Sequence, residues 1–273
     1  MESDSFSLDK DSPIGFMDSG LGGISVLREA VKLMPNEDYI YYGDSKNAPY
    51  GTKSQDEIRK LTFHAVEYLL DRGIKGLAVA CNTATSAAVR LLREKYPNLP
   101  IVGIEPAIKP AVEHYKGGRI LVLATPMTIK QEKFRNLLKS YANQADIVPI
   151  SCGGLMEFVE RGELEGPNLD DYLDATIGKY VIPSTESMVL GCTHYPFLKK
   201  EFKRYLKEKE TELKGKEIEL IDGSFGTVKE LKRRLNEKEL LTTSTQNGHV
   251  EFVNSSKDPE ILKRCQMFLD LAE

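Results

Sequence analysis

Short apolar runs alternate with longer amphipathic segments along most of the chain. Eight of these runs have the length and the unbroken hydrophobicity of strands that are buried on both faces. They predict strands at Ile14–Met17, Tyr39–Tyr42, Leu77–Ala80, Ile101–Ile104, Ile120–Ala124, Ile147–Ile150, Met188–Leu190 and Ile218–Ile221. The segments between them predict helices at Ile24–Leu33, Gln55–Asp71, Thr85–Tyr96 and Ile129–Tyr141. This alternation is typical of an α/β fold with parallel sheets and helical crossovers.

The strands read as four followed by four, and polar loops recur at matching places. The pair Asp18-Ser19 follows the first strand, as Thr125-Pro126 follows the fifth. The triplet Cys81–Thr83 follows the third strand, as Cys192–His194 follows the seventh. Several matches in the same order, at nearly constant spacing, indicate an internal repeat.

The repeat predicts two similar α/β domains related by a pseudo-twofold axis, each with a mostly parallel sheet flanked by helices. The first domain is expected to comprise residues 1–105 plus 220–273, and the second residues 106–219. The segment after Ser224 has no counterpart in the repeat and is expected to pack as helix against the first domain. Because ligands of open α/β sheets bind at the carboxyl ends of the strands, we expect an active site in the cleft between the domains.

Composition and charge narrow the function classes. The chain has 273 residues, of which 41% are hydrophobic and 29% charged, with a net charge of −4. Nucleic acid is therefore not expected as a partner, because phosphate binding needs an excess of Lys and Arg. No membrane is expected either, since no apolar run approaches the ~20 residues of a span and the polar N-terminal segment 1–12 has no signal-peptide core. The charged segment Lys199–Lys216 is expected to form a solvated helix face.

Four cysteines without a CxxC pair predict free thiols in a reducing cytoplasm and no metal site. Cys152 and Cys265 are expected only to pack. Cys81 and Cys192 instead lie where a buried strand gives way to the start of a helix, which can lower the pKa of a thiol and yield thiolate near neutral pH.

A single buried cysteine is commonly structural, but two at matching positions of a repeat favour chemistry. Two thiols on opposite walls of a cleft can remove a proton from one face of a carbon and return a proton to the other face. Racemisation of an amino acid needs this pair of opposed acid/base groups, and Cys81 and Cys192 are the candidates.

Other polar residues could serve the same chemistry. Asp18, with Ser19, could bind the substrate ammonium or tune the Cys81 thiol, or the two could simply cap the following helix. The amides of the Pro49–Gly51 loop could bind a carboxylate, or the loop could be an ordinary turn. His194 could orient or deprotonate Cys192, or could be structural.

The blocks FMDSGLGG, GDSKNAPYG, ACNTAT, VGIEPAIKPA and LGCTHYP, spread over Pro13 to Leu231, resemble those of the glutamate racemases of bacterial cell-wall synthesis. The resemblance implies two α/β domains, no cofactor, glutamate as the substrate and supply of D-glutamate for peptidoglycan. By analogy, Cys81 deprotonates D-glutamate and Cys192 deprotonates L-glutamate. The candidate substrate contacts, with Thr125 included by its place in the repeat, are Asp18, Ser19, Tyr50, Gly51, Asn82, Thr83, Thr125, Thr193 and His194.

The resemblance also implies that Glu160 assists Cys192 and His194, although the local pattern alone predicts a solvated helix residue. Three alternatives stay open: a related two-cysteine racemase that acts on aspartate, a cysteine hydrolase that uses Cys192 and His194, and an amino-acid-binding protein without catalysis. The sequence also leaves open whether the chain is a monomer or a homodimer.

Overall fold

The computed structural model describes residues 8–271, so residues 1–7 of the polar N-terminal segment lie outside the described chain. It contains a five-stranded sheet of order β4-β3-β1-β2-β9 and a four-stranded sheet of order β6-β5-β7-β8. The first sheet comprises β1 Ile14–Asp18, β2 Tyr39–Gly43, β3 Gly76–Val79, β4 Ile101–Gly103 and β9 Val250–Asn254. The second comprises β5 Arg119–Ala124, β6 Asp146–Ser151, β7 Thr185–Leu190 and β8 Glu219–Asp222.

The two sheets repeat one strand order. The first four strands are arranged β4-β3-β1-β2, and the next four take the corresponding order β8-β7-β5-β6. The strands pair in parallel in both sheets. All eight predicted strands are present, and the predicted fold of two parallel-sheet α/β domains flanked by helices is confirmed.

Eleven α-helices connect and cover the strands within residues 8–271. They are α1 Ile24–Leu33, α2 Gln55–Asp71, α3 Asn82–Lys95, α4 Ile108–Glu113, α5 Pro126–Lys130, α6 Glu132–Tyr141, α7 Gly154–Arg161, α8 Pro167–Ile177, α9 Lys199–Glu208, α10 Ser224–Glu237 and α11 Pro259–Asp270. None of the described helices is long and apolar enough to cross a membrane.

Two helix predictions need correction. The single helix predicted at Ile129–Tyr141 is wrong, because Gln131 is extended (φ −69°, ψ 138°) and separates α5 from α6. The charged segment Lys199–Lys216 is helical only as far as Glu208, and turns follow. Within α9 the lysines lie toward solvent while Phe202 and Tyr205 are buried.

The segment after Ser224 is only partly helical. As expected, α10 and α11 pack against α1 of the first sheet's helical layer. Between them, however, β9 pairs in parallel with β2 and forms the edge of the first sheet. The expected domain boundary at 219/220 falls inside β8, whose residues pair with β7; the division of the chain into domains stays a prediction.

One of three apolar clusters in the described chain extends across both sheets. Phe16 of β1 and Leu121 of β5 belong to it, and so do Phe197 and Phe268. The rings of Phe197 and Phe268 lie 4.5 Å apart between centroids. This shared cluster joins the two sheets, so elements of both can contribute to one site.

Candidate active site

The loop between β1 and α1 connects the two halves of the molecule. Asp18, at the end of β1, is fully buried, and its Oδ1 accepts a 3.5 Å hydrogen bond from the Thr193 hydroxyl. The backbone N–H of Leu21 donates to Glu160 Oε1 at 3.0 Å, and the Ser25 hydroxyl donates to the Thr193 carbonyl at 2.8 Å. Residues from the first and second sheets therefore converge here, as the repeat predicted.

Two glycines of this loop leave room for side chains of the second half of the molecule. A Cβ on Gly20 would lie 2.3 Å from Glu160 Oε1, and one on Gly22 would lie 2.4 Å from His194 Nδ1. Neither distance is tolerated by real side chains, so the glycines let Glu160 and His194 reach the loop backbone.

Cys81 follows β3 and caps the N-terminus of α3. The Ala84 N–H donates to its Sγ at 3.5 Å, and the thiol donates to the Ser19 hydroxyl at 3.5 Å. Burial, followed by the charge of Asp18, raises the pKa of the Cys81 thiol to about 12, against the lowering by Ser19 and by the Ala84 amide. The expected thiolate near neutral pH is therefore wrong for Cys81, because desolvation outweighs the helix start.

Cys192 follows β7 and is part of a buried chain of acid/base groups. Its Sγ lies 3.6 Å from His194 Nδ1, and His194 Nε2 lies 2.7 Å from Glu160 Oε1. Burial by itself lowers the pKa of His194, but the hydrogen bonds to Cys192 and Glu160 prevail and raise it well above 6.5. The imidazole thus lies between the Cys192 sulfur and the Glu160 carboxylate, and both contacts favour its protonated form.

Glu160 lies in the last turn of α7 with a side chain that is 26% exposed. Burial by itself raises its pKa, but the hydrogen bond from His194 reverses the effect and lowers it. The local pattern, which predicted a solvated residue, is therefore wrong. The contact of Glu160 with the loop after β1 depends on α7 ending next to that loop. No local pattern in the sequence predicts this proximity.

The loop after β2 is organised by Asp44, to which the sequence analysis gave no role. The Tyr50 hydroxyl donates to Asp44 Oδ2 at 2.7 Å, and the Asn47 amide also donates to this carboxylate. Burial, followed by the hydrogen bond to Asp44, raises the pKa of Tyr50 above its ordinary value. Gly51 lies beside Thr125, since a Cβ on Gly51 would be 3.8 Å from the Thr125 hydroxyl. Tyr50 thus shapes the loop, and the loop meets the second sheet at Thr125.

Asn82 and Thr83 form the first turn of α3, directly after Cys81. Thr83 is buried, and the Asn82 Oδ1 is a buried acceptor that no group of the described chain satisfies. Among residues 8–271, no three His, Cys, Asp or Glu side chains form a group that could hold a metal ion. All four cysteines are free, as predicted, and Cys152 and Cys265 are fully buried.

The arrangement supports acid/base chemistry by two thiols. Cys81 and Cys192 occupy the corresponding positions after β3 and β7, and a charge on Cys192 raises the pKa of Cys81. Each thiol has its own polar partners, Ser19 for the first and His194 for the second.

Known proteins resemble the chain over nearly its whole length. A glutamate racemase from Clostridium acetobutylicum is 50% identical over 262 residues, which cover 96% of this chain and 99% of that protein. A glutamate racemase from Clostridium perfringens is 47% identical over 262 residues, which cover 96% of this chain and 98% of that protein.

Solved structures of glutamate racemases also share the fold. The enzyme from Francisella tularensis in complex with D-glutamate superposes with a TM-score of 0.80 at 27% identity, covering 96% of this chain and 95% of that chain. A glutamate racemase isoform from Bacillus anthracis gives a TM-score of 0.82 at 28% identity, with the same coverage of 96% and 95%. A sequence model of the Asp/Glu/Hydantoin racemase family matches residues 14–230, and the chain belongs to this family.

Proposed function

We propose that the protein interconverts L-glutamate and D-glutamate with Cys81 and Cys192 as opposed acid/base groups. The observation that supports this most strongly is the matching position of the two thiols after β3 and β7, with polar partners from both sheets beside them. The names of the relatives, glutamate racemases at 47% and 50% identity, support glutamate as the substrate.

In the L-to-D direction, the Cys192 thiolate takes the Cα proton of L-glutamate and becomes a thiol. The electron pair stays on the substrate as a carbanion that is delocalised into its carboxylate, and the Cys81 thiol then donates its proton to the opposite face. Cys81 leaves as the thiolate and Cys192 as the thiol, which is the state that accepts D-glutamate for the reverse reaction. His194, held as an imidazolium by Glu160, stabilises the thiolate of Cys192.

The raised pKa of Cys81, about 12, suits its role as a proton donor in the L-to-D direction. In the reverse direction Cys81 must act as a thiolate beside the buried carboxyl of Asp18. The α-ammonium of the bound amino acid is positively charged and stabilises both the Cys81 thiolate and the Asp18 carboxylate. Substrate binding itself therefore favours the thiolate of Cys81.

Polar groups around the thiols provide the remaining contacts. We assign binding of the ammonium to Asp18 and Ser19, and binding of the carboxylates to the loop at Tyr50 and Gly51 and to the second-sheet residue Thr125. The first turn after each cysteine provides further contacts through Asn82, Thr83, Thr193 and His194. Backbone amides and hydroxyls of this kind stabilise the charge that develops on the carboxylate during deprotonation.

In the cell, the product D-glutamate would supply peptidoglycan synthesis, and the four free thiols suit a cytoplasmic enzyme. No cofactor takes part in the proposed reaction. Aspartate is the alternative substrate, because the two amino acids differ by one methylene and the same two-thiol chemistry applies to both.

The test is incubation of the purified protein with L-glutamate in D2O without added cofactor. We expect loss of optical rotation together with deuterium at Cα. Activity with L-aspartate but not with L-glutamate would identify aspartate as the substrate. No activity with either amino acid would refute racemisation and leave the amino-acid-binding alternative.

A further inference from the structure

The C-terminal helix α11 packs against the Cys192 side of the site. Ile261, Cys265 and Phe268 form its buried face, at the spacing of a helix that covers a core. The Phe268 ring meets Phe197, whose backbone N–H donates to the His194 carbonyl at 3.2 Å. Helix α11 thus supports the segment that carries the catalytic histidine.

Arg264 lies on the same side of α11, three residues after Ile261 and four before Phe268. Its Nη1 donates to the backbone carbonyl of Glu160 at 2.5 Å, a contact between residues 104 positions apart in the sequence. Its Nη2 lies 3.4 Å from Asp258 Oδ2, and Asp258 caps the start of α11. The guanidinium therefore lies between the Glu160 carbonyl and the Asp258 carboxylate.

This contact completes the C-terminus of α7. The last carbonyls of a helix lack partners within the helix. Gly162 and Glu163 donate to the carbonyls of Val159 and Phe158, both at 2.9 Å, which leaves the Glu160 carbonyl for Arg264. A cation at this end of a helix also interacts favourably with the helix dipole.

We propose that Arg264 is a positioning residue for the Cys192 half of the reaction. It contacts neither thiol and acts through Glu160, whose carboxylate orients His194, which in turn contacts Cys192. The inference rests on the proposed racemisation. The Arg264 charge also contributes to the lowered pKa of Glu160, which keeps that carboxylate ionised.

The racemisation equilibrium dictates how such a role must be measured. Because enantiomers have equal free energies, kcat/KM must be the same in both directions for every variant. The two proton transfers nevertheless separate in isotope effects, since a deuterium at Cα is removed by Cys192 from L-glutamate and by Cys81 from D-glutamate. Slowing the Cys192 transfer alone makes it more rate-limiting, which raises the isotope effect with L-glutamate and lowers it with D-glutamate.

The test compares Arg264→Met with Arg264→Lys and with the control Lys263→Ala, whose exposed side chain pairs with Glu260 on the same helix. Methionine keeps the apolar stem, so α11 should stay packed, and thermal unfolding verifies this. We expect Arg264→Met to lower kcat/KM by about ten-fold, the loss of one charge-assisted hydrogen bond. The deuterium isotope effect should rise with L-glutamate and fall with D-glutamate, Arg264→Lys should restore most of the activity, and Lys263→Ala should match the wild type.

Unchanged kinetics of Arg264→Met would overturn the proposal, and so would isotope effects that change equally with both enantiomers, because a general loss of structure would slow both transfers. Loss of activity in Arg264→Met that Arg264→Lys does not restore would also count against it. Failure of the proposed function is distinguishable, since the wild type would then not racemise glutamate at all.

Discussion

Replacing Glu160 by glutamine tests whether the carboxylate, and not merely its shape, sustains the His194 imidazolium. Glutamine keeps an oxygen that can accept the 2.7 Å hydrogen bond from His194 and the 3.0 Å bond from Leu21, so the charge is the main loss. A hydrogen bond to a charged group contributes about 1.5–3 kcal/mol and a neutral one about 1 kcal/mol. The difference is about 0.5–2 kcal/mol, and since the Glu160 side chain is 26% exposed we take a value below the middle of this range, about 1 kcal/mol.

That loss has two measurable consequences. One pKa unit corresponds to about 1.4 kcal/mol, so the pKa of His194 should fall by somewhat less than about one unit. With proton transfer at Cys192 weakened by the same amount, kcat/KM should fall about five-fold.

The assay is a titration of the histidine ring nitrogens by NMR. His194 is buried whereas His64, His114 and His249 are exposed, and the signal that is lost in His194→Gln identifies its ring. The matched control is Glu163→Gln, which removes an exposed carboxylate two residues after the end of α7 that pairs with Arg161. If the His194 pKa stays unchanged in the Glu160 variant, or falls as far in the control, the carboxylate does not sustain the imidazolium.

Three further predictions follow from the same geometry. Cys81→Ser and Cys192→Ser should each lower kcat/KM far more than ten-fold with an unchanged circular dichroism spectrum, and either variant that kept more than roughly a tenth of the activity would contradict the two-thiol scheme. Tyr50→Phe should destabilise the protein by about 1–3 kcal/mol in urea unfolding, because the buried Asp44 loses a donor, and an unchanged midpoint would show that water replaces it. Because the pKa of His194 is raised in the folded protein, its stabilising effect is present below pH 6.5 and is lost as the pH rises through the raised value; the stability difference from His194→Gln should shrink over that range, and a constant difference would contradict the linkage.

The fold could be predicted because most strands are unbroken apolar runs that are visible in the sequence. Every residue of β1, β2 and β3 is buried, whereas β6 and β8 are largely part-buried or exposed, contrary to expectation, and were found from their apolar residues alone. Strand β9 could not be predicted, since its residues are only partly buried at the edge of the sheet and include Glu251 and Asn254. Its position depends on pairing with β2, which is more than 200 residues away.

The site was predictable to the extent that it follows the repeat. The matching loops pointed to Cys81 and Cys192, but the partners of these thiols come from elsewhere in the fold. Glu160 accepts a hydrogen bond from Leu21, in a loop of the first sheet, and Arg264 of α11 donates to the Glu160 carbonyl. The sign of the pKa shift of Cys81 depends on how completely the folded chain excludes water, which spacing along the sequence does not encode.

The burial of Cys81 also bears on its chemical durability. Peroxides and electrophiles react with thiolates and hardly with thiols. A cysteine that is 5% exposed and whose pKa is about 12 spends almost no time as a thiolate without a ligand. In the proposed mechanism the bound amino acid induces the thiolate of Cys81, so without substrate this cysteine offers oxidants little to attack.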